Sequence, residues 1–194
     1  TDLDGYGDNY ANASWAFDRN QSWPGSCVEF AFEPDLCPTQ FGQMDAVENR
    51  GCPDSDQDGV SDNLDAFPED PFKSSDRDGD GFGDDPLAPE RDDCPDTYGT
   101  STEGNTFGCP DTDGDGWADS RDDFPNTASQ WKDSDGDGYG DNWGNSTWNA
   151  TRETNWPGEF IDGAELSDAF PEDESQWNDT DGDGWGDNPF GTNP

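Results

Sequence analysis

Histidine is absent from the 194 residues, methionine occurs once, and lysine and arginine together number 8. Without histidine the chain lacks the commonest general base and the usual nitrogen ligand for zinc and copper. Leu, Ile, Val and Phe together supply only 21 residues. That falls below the apolar share that supports an ordinary globular core, and by itself describes a disordered chain. No apolar run approaches the ~20 residues of a membrane-spanning helix, and nothing at the start resembles a secretory leader. Thr1 lies inside a motif, so the expectation is a piece cut from something longer. Scarce positive charge against 48 Asp and Glu leaves a net charge of -40. Binding to phosphate backbones, or insertion into an anionic membrane, is therefore not expected. No nucleophile elbow or phosphate-binding loop is present, and the expectation is that the chain is not an enzyme and has no catalytic residue.

What is present is acid and aromatics. Nine Trp, 12 Phe and 4 Tyr are too many for a solvating acidic tail. The acid is periodic: TDLDGYGD from Thr1, DSDQDGVSD from Asp54, DRDGDGFGD from Asp76, DTDGDGWAD from Asp111, DSDGDGYGD from Asp133 and DTDGDGWGD from Asp179. Complete copies carry Asp at places 1, 3, 5 and 9 and Gly at place 6; the first copy lacks only place 1. Two carboxylates ~4 Å apart repel by roughly 4 kcal/mol at an effective dielectric near 20, so such a segment folds inward only around a cation. A fixed pattern in six copies makes the chain a repeat array of small units.

The spacing suits a hard cation with six to eight oxygen ligands, Ca²⁺ above all. Places 1, 3 and 5 point alternate side chains at the ion, Gly at 6 permits the turn, and the place 7 carbonyl and place 9 carboxylate complete the ring. The candidate ligands are Asp2, Asp4, Tyr6 and Asp8; Asp54, Asp56, Asp58, Val60 and Asp62; Asp76, Asp78, Asp80, Phe82 and Asp84. They continue with Asp111, Asp113, Asp115, Trp117 and Asp119; Asp133, Asp135, Asp137, Tyr139 and Asp141; and Asp179, Asp181, Asp183, Trp185 and Asp187. At least six Ca²⁺ ions are expected. EF-hands and dockerins use similar loops, but they need an apolar place 8 and flanking amphipathic helices. Here place 8 is Gly7, Ser61, Gly83, Ala118, Gly140 or Gly186, and the flanks are rich in Pro and Gly.

The segments resemble the thrombospondin type 3 repeat, which alternates DxDxDGxxDxxDxCP with a shorter DxDxDGxGD form. The longer form appears from Asp54 and Asp111, with Asp65 and Asp122 at place 12; the shorter appears from Asp76, Asp133 and Asp179 and, truncated, at Thr1. In the shorter loops place 12 is Leu87, Gly144, Phe190 and Ala11, so their last ligand comes from elsewhere or is water. Phe67, Phe124 and Phe170 stand where the family has Cys before Pro. The resemblance covers residues 52 to 142 well and the ends in part. It implies a mostly irregular, coil-rich, calcium-stabilised tandem-repeat rod of extracellular origin, without a conventional hydrophobic core. Metal binding then supplies the folding free energy that a core does not. Each place 7 ring is expected to cover a neighbouring Phe-Pro or Trp.

Two further repeats organise the chain. CPTQFGQMDAVENRGCPD from Cys37 aligns with CPDTYGTSTEGNTFGCPD from Cys94 at an offset of 57. This predicts disulfides Cys37–Cys52 and Cys94–Cys109, each worth on the order of 3 kcal/mol, with reduced thiols or a metal site as the alternative. Cys27 falls outside this framework, either free or bridged beyond the segment. GDNYANASWAFDRNQSWPG from Gly7 matches GDNWGNSTWNATRETNWPG from Gly140 at an offset of 133, aligning Trp15 with Trp148, Arg19 with Arg152 and Trp23 with Trp156. Such a duplication reads as a packed insert. Sequons at Asn12, Asn20, Asn145, Asn149 and Asn178 are candidate N-glycosylation sites, Asn178 abutting a loop ligand.

The expected layout is residues 1–38, a calcium loop plus a Trp- and Asn-rich insert; residues 39–133, tandem calcium repeats with two disulfide loops; and residues 134–194, a loop, a second insert and a terminal loop. The expected role is a structural calcium-binding segment of a stalk, fibre or surface matrix, with calcium, covalent N-glycans and copies of itself as partners. The rival is a calcium-dependent adhesion or sugar-binding module built on the Trp-rich inserts.

Overall fold

A computed structural model describes residues 2, 7, 24–26, 35–42 and 50–192. The chain divides into two compact units, Thr1–Arg77 with Gly83–Arg91, and Asp78–Phe82 with Asp92–Pro194. The fold is almost entirely irregular, as composition dictates: Gly, Pro and Asp break the periodicity that a helix or strand needs. Among the described residues the one helical element is a 3-10 turn, Ser146–Ala150, opened by Asn145, whose side chain accepts the Thr147 N–H at 3.1 Å. Among the described residues extended pairing consists of isolated bridges, such as Asp92 with Phe107, Gly140 with Ser167 and Trp143 with Phe160.

Backbone closure replaces sheets and helices. In each fully described acidic loop the place 9 N–H reaches the carbonyl just before place 1: Asp62 to Pro53, Asp84 to Ser75, Asp119 to Pro110, Asp141 to Lys132 and Asp187 to Asn178, at 2.8 to 3.0 Å. The turn inside each ring needs left-handed backbone at places 4 and 6, with φ of +80° and +100° at Gly114 and Gly116. Place 4 is glycine in every other described loop, but Gln57 adopts φ +68° there.

The interior is polar where most proteins are oily. The largest fully buried side chains include Gln130, Gln176, Asn142, Asp141, Asp168 and Asp179. Gln130 and Gln176 hold equivalent places in two Ser-Gln-Trp segments and form a latch to the residue after place 9. Gln130 Nε2 donates to the Asn142 and Glu165 carbonyls (2.8 and 2.7 Å), its Oε1 accepts the Asn142 N–H (3.0 Å), and Asn142 Nδ2 returns to the Ser129 carbonyl (2.9 Å). Gln176, Asn188 and Ser175 repeat this, with Gln176 Nε2 on the Asn188 carbonyl at 3.0 Å. The cost of burying these amides is offset because each amide oxygen and nitrogen has a partner.

A small apolar cluster lies in the insert of the second unit: Trp148, Ala169 and Phe170 are buried, with Trp143 and Trp156 packed against them. Arg152 is threaded through it, 4.1 Å from the Trp143 ring centroid, and its guanidinium donates to the carbonyls of Asp168, Asp141 and Pro157. Trp15, Arg19 and Trp23 lie outside the described residues. Elsewhere, paired rings stand in for a core. Trp117 stacks on Trp131 and Tyr139 on Trp177, with interplanar angles of 9° and 1°, and Phe82 tilts against Phe107. For Trp117 and Tyr139, the partner is the Trp of the Ser-Gln-Trp segment rather than a Phe-Pro.

Cys37 is bonded to Cys52 and Cys94 to Cys109, with Cα separations of 4.9 and 5.0 Å. Gly42 and Gly99 occupy matching places in the two disulfide loops. Each lies against the backbone carbonyl of Cys52 or Cys109, where a Cβ has no room. Cys27 lies outside the described residues.

Candidate metal centres

The loop from Asp111 shows how the chain gathers its acids. Asp111 accepts the Gly114 N–H on Oδ1 (2.8 Å) and the Gly116 N–H on Oδ2 (2.9 Å). Asp113 Oδ1 accepts the Asp115 N–H (3.2 Å), and Asp115 Oδ1 the Trp117 N–H (2.8 Å). Places 3 and 5 thus each commit one oxygen to the chain two residues on. The other oxygen of each, Oδ2 of Asp113 and Asp115, is buried without a hydrogen-bond partner.

The same bonds recur from Asp54, Asp133 and Asp179. Place 1 accepts from places 4 and 6 in each. Asp56, Asp135 and Asp181 accept from place 5, and Asp58, Asp137 and Asp183 from place 7. The run from Asp76 is the one that the division between units crosses. Within the second unit's share, Asp80 donates to Asp78 and Phe82 to Asp80 in the same way. Of the first copy, Asp2 and Gly7 are described; Asp4, Tyr6 and Asp8 lie outside the described residues.

The result is a set of triplets, Asp54 with Asp56 and Asp58, Asp111 with Asp113 and Asp115, Asp133 with Asp135 and Asp137, and Asp179 with Asp181 and Asp183. In each, one oxygen per residue lies within 4.8 Å of the others. Oxygens bound to one Ca²⁺ at about 2.4 Å lie no more than about 4.8 Å apart, so the preformed spacing fits. The donors are hard oxygens throughout, and the orphaned Oδ2 atoms of Asp56, Asp113, Asp115, Asp135 and Asp137 are what a cation would satisfy.

Electrostatics agree with geometry. Burial, then the charges of Asp137 and Asp133, pushes Asp135 up to about 6. Burial, then the Asp115 and Asp113 charges set against a Phe124 N–H bond, pushes Asp122 up to about 6. Asp65 is raised by burial and by Asp58 and Asp56. Both place 12 carboxyls therefore feel the charge of their own triplets.

The place 9 carboxylates were expected to complete the ion's ring; in four of the described loops they also clasp place 2. Asp119 takes the Thr112 N–H on Oδ1 (2.7 Å) and the Thr112 hydroxyl on Oδ2 (2.8 Å). Asp62 does this with Ser55, Asp141 with Ser134 and Asp187 with Thr180. The hydroxyl of Thr180 is the main reason that the Asp187 carboxyl is lowered. A Ser or Thr at place 2 in these copies was the available clue.

A second set of acids shares one backbone bond. Five Asp-x-(Cys/Phe)-Pro segments begin at Asp35, Asp65, Asp92, Asp122 and Asp168. In each, the Asp Oδ1 accepts the N–H two residues on, at 2.6 to 2.7 Å. Asp65 and Asp122 stand at place 12, and the other three lie farther along the chain. Asp35 and Asp168 are tied in equivalent ways, their N–H groups reaching the Gly7 and Gly140 carbonyls at 2.8 and 2.9 Å. Leu87 and Phe190, which counting puts at place 12, are 90% and 94% exposed and carry no ligating group.

Of the sequons, Asn145 caps the 3-10 turn, and Asn149 Oδ1 accepts the Trp143 indole N–H at 2.6 Å. Asn178 Nδ2, the atom a glycan would occupy, donates to Asp187 Oδ2 at 2.7 Å and to Thr180. Asn12 and Asn20 lie outside the described residues. Among the described residues no helix is long and apolar enough to cross a membrane. No protein-family model matches the chain, and no curated protein matches it.

Proposed function

We propose that the chain is a calcium-binding structural segment of an extracellular stalk, fibre or surface matrix, related in design to thrombospondin type 3 repeats. The observation that carries this is the repeated arrangement of buried, unpartnered Oδ2 atoms at places 3 and 5, held ready by bonds from their own backbone. Places 1, 3 and 5 would hold the ion, with the place 7 carbonyl and, in the longer loops, Asp65 and Asp122. The bound ion supplies positive charge against which the carboxylates can pack, and so offsets the repulsion that otherwise expands the chain. Two disulfides and millimolar extracellular calcium belong to the same setting. The role is non-catalytic, with glycans at the insert sequons and end-to-end copies of the chain as further partners.

A calcium titration by calorimetry and native mass spectrometry tests this directly. Wild-type protein should bind several ions, and its melting temperature should climb with calcium concentration. Chelation that leaves melting and tryptophan spectra unchanged would sink the proposal. A sugar-binding role has one observation behind it, an open cleft of about 1250 Å³ lined by Trp156, Phe170, Glu153, Glu172 and Asp173. Saccharide selectivity on a glycan array would favour that role over a spacer.

A further inference from the structure

The shorter loop from Asp133 has Gly144 at place 12, so its own sequence offers no fifth carboxylate. The chain then leaves for the insert and returns at Ser167. On its return the Asp168 N–H bonds the Gly140 carbonyl at 2.9 Å, while the Gly140 N–H bonds the Leu166 carbonyl at 2.7 Å. That pair of bonds sets Asp168 beside the loop that the chain left at Asp141. Its side chain is 1% exposed. Oδ1 accepts the Phe170 N–H at 2.7 Å, whereas Oδ2 is buried with no partner. The carboxylates whose charges act on it are Asp137 and Asp135, and Oδ2 of both is likewise buried and unpartnered. Arg152 is the nearby cation, but its described donors go to the carbonyls of Asp168, Asp141 and Pro157 rather than to that oxygen.

We propose that Asp168 is a ligand of the ion held by Asp133, Asp135 and Asp137, supplied from across the insert, so that calcium at this loop locks the insert shut. The inference rests on the reading of the loops as calcium sites. It assigns to Asp168 the place that Asp122 occupies in the Asp111 repeat, with the same Asp-x-Phe-Pro context and the same Oδ1 bond, but with the insert spliced between loop and ligand. An Asn at 168 keeps the bond to Phe170 and the shape, and removes only the charge on the second oxygen. A carboxylate serving merely to cap that turn would be replaced by Asn without consequence.

The experiment uses the whole chain, comparing wild type with Asp168→Asn and with Asp162→Asn as an exposed control. Calcium binding is followed by native mass spectrometry and calorimetry, and opening of the insert by tryptic cleavage after Arg152. In wild type, calcium should slow that cleavage. Asp168→Asn should weaken one ion by at least about tenfold, leave the others, and abolish the calcium protection of Arg152. Unchanged ion count, affinity and protection in Asp168→Asn would overturn the inference. If Asp168→Asn does not fold, Asp135→Asn takes its place: it should lose the same ion and the same protection, and retained protection there overturns the inference equally. Wild type that binds no calcium at all would instead overturn the underlying reading of the loops.

Discussion

The repeats from Asp111 and from Asp133 lie in the same unit and start from nearly the same nine residues, yet they are finished differently. After Asp119 the chain runs straight to Asp122, and its place 7 ring, Trp117, stacks on Trp131. After Asp141 it detours through Trp143, Trp148, Arg152 and Trp156 before reaching Asp168. The first repeat is closed by local sequence, while the second is closed by long-range hydrogen bonds and a small aromatic cluster. The loop is therefore a portable part, and an insert is tolerated wherever its two ends can be pinned beside the ring. Long insertions cost little loop-closure entropy for each added residue, provided that packing fixes the exit and return points.

The largest effect that separates the two repeats is their response to pH without metal. Burial first, then carboxylate neighbours, raises Asp122 to about 6 and Asp168 to about 8, against about 3.9 for an unfolded aspartate. Above about pH 4 the unfolded chain gives up a proton that the folded one keeps, so stability is greatest below that pH and falls as pH rises. The fall should end near pH 6 for the Asp111 repeat and continue to about pH 8 for the insert. Urea unfolding of chelator-treated protein, followed by NMR peaks of Ala118 and Ala169, should show the second region losing stability over the wider range. Saturating calcium should reverse the slope, since a metal-bound carboxylate must be ionised. Parallel profiles at the two alanines would erase the distinction.

Next come the buried amides. Gln130 donates to both the Asn142 and Glu165 carbonyls, the latter inside the insert, whereas Gln176 has one such bond, to Asn188. Gln130→Ala should cost about 3 kcal/mol and Gln176→Ala about 2 kcal/mol in denaturant unfolding, because each leaves buried carbonyls unsatisfied. Equal losses would show that the insert draws no special support from Gln130. The smallest effect belongs to the loop from Asp54, where Gln57 sits at φ +68° and other described loops have glycine. Gln57→Gly should stabilise the calcium-loaded chain by less than about 1 kcal/mol, removing side-chain strain at some cost in unfolded-state entropy. A destabilised variant would mean that the Gln57 side chain makes a compensating contact.

The legible features were those written in short, repeated spacing. Asp at places 1, 3 and 5 leads to triplets within 4.8 Å because a nine-residue ring leaves few other arrangements. The pairing of Cys37 with Cys52 and of Cys94 with Cys109 was readable from the 57-residue offset. The clasp between place 9 and place 2 was not read from the spacing, because a carboxylate facing an ion and one facing a Ser or Thr hydroxyl occupy the same place in a motif. The Gln130 and Gln176 latches were visible only as a repeated Ser-Gln-Trp, and composition says nothing about which polar side chains go inside. Counting places Asp168 eleven residues before the next loop, as it does Asp65 and Asp122, but does not pair it with the ring at Asp133, since its distance from Asp133 is set by the insert.

By itself the sequence determined the absence of an oily interior, the ring-forming loops and their preference for a hard cation, because those follow from residue type and separation within a few bonds. The tertiary structure alone decided which amides are buried and that the insert returns to the loop it left. These depend on hydrogen bonds and ring contacts between residues tens of positions apart, such as Gln130 with Glu165 and Trp148 with Asp179. Separation along a chain carries no information about such partners until the backbone is closed.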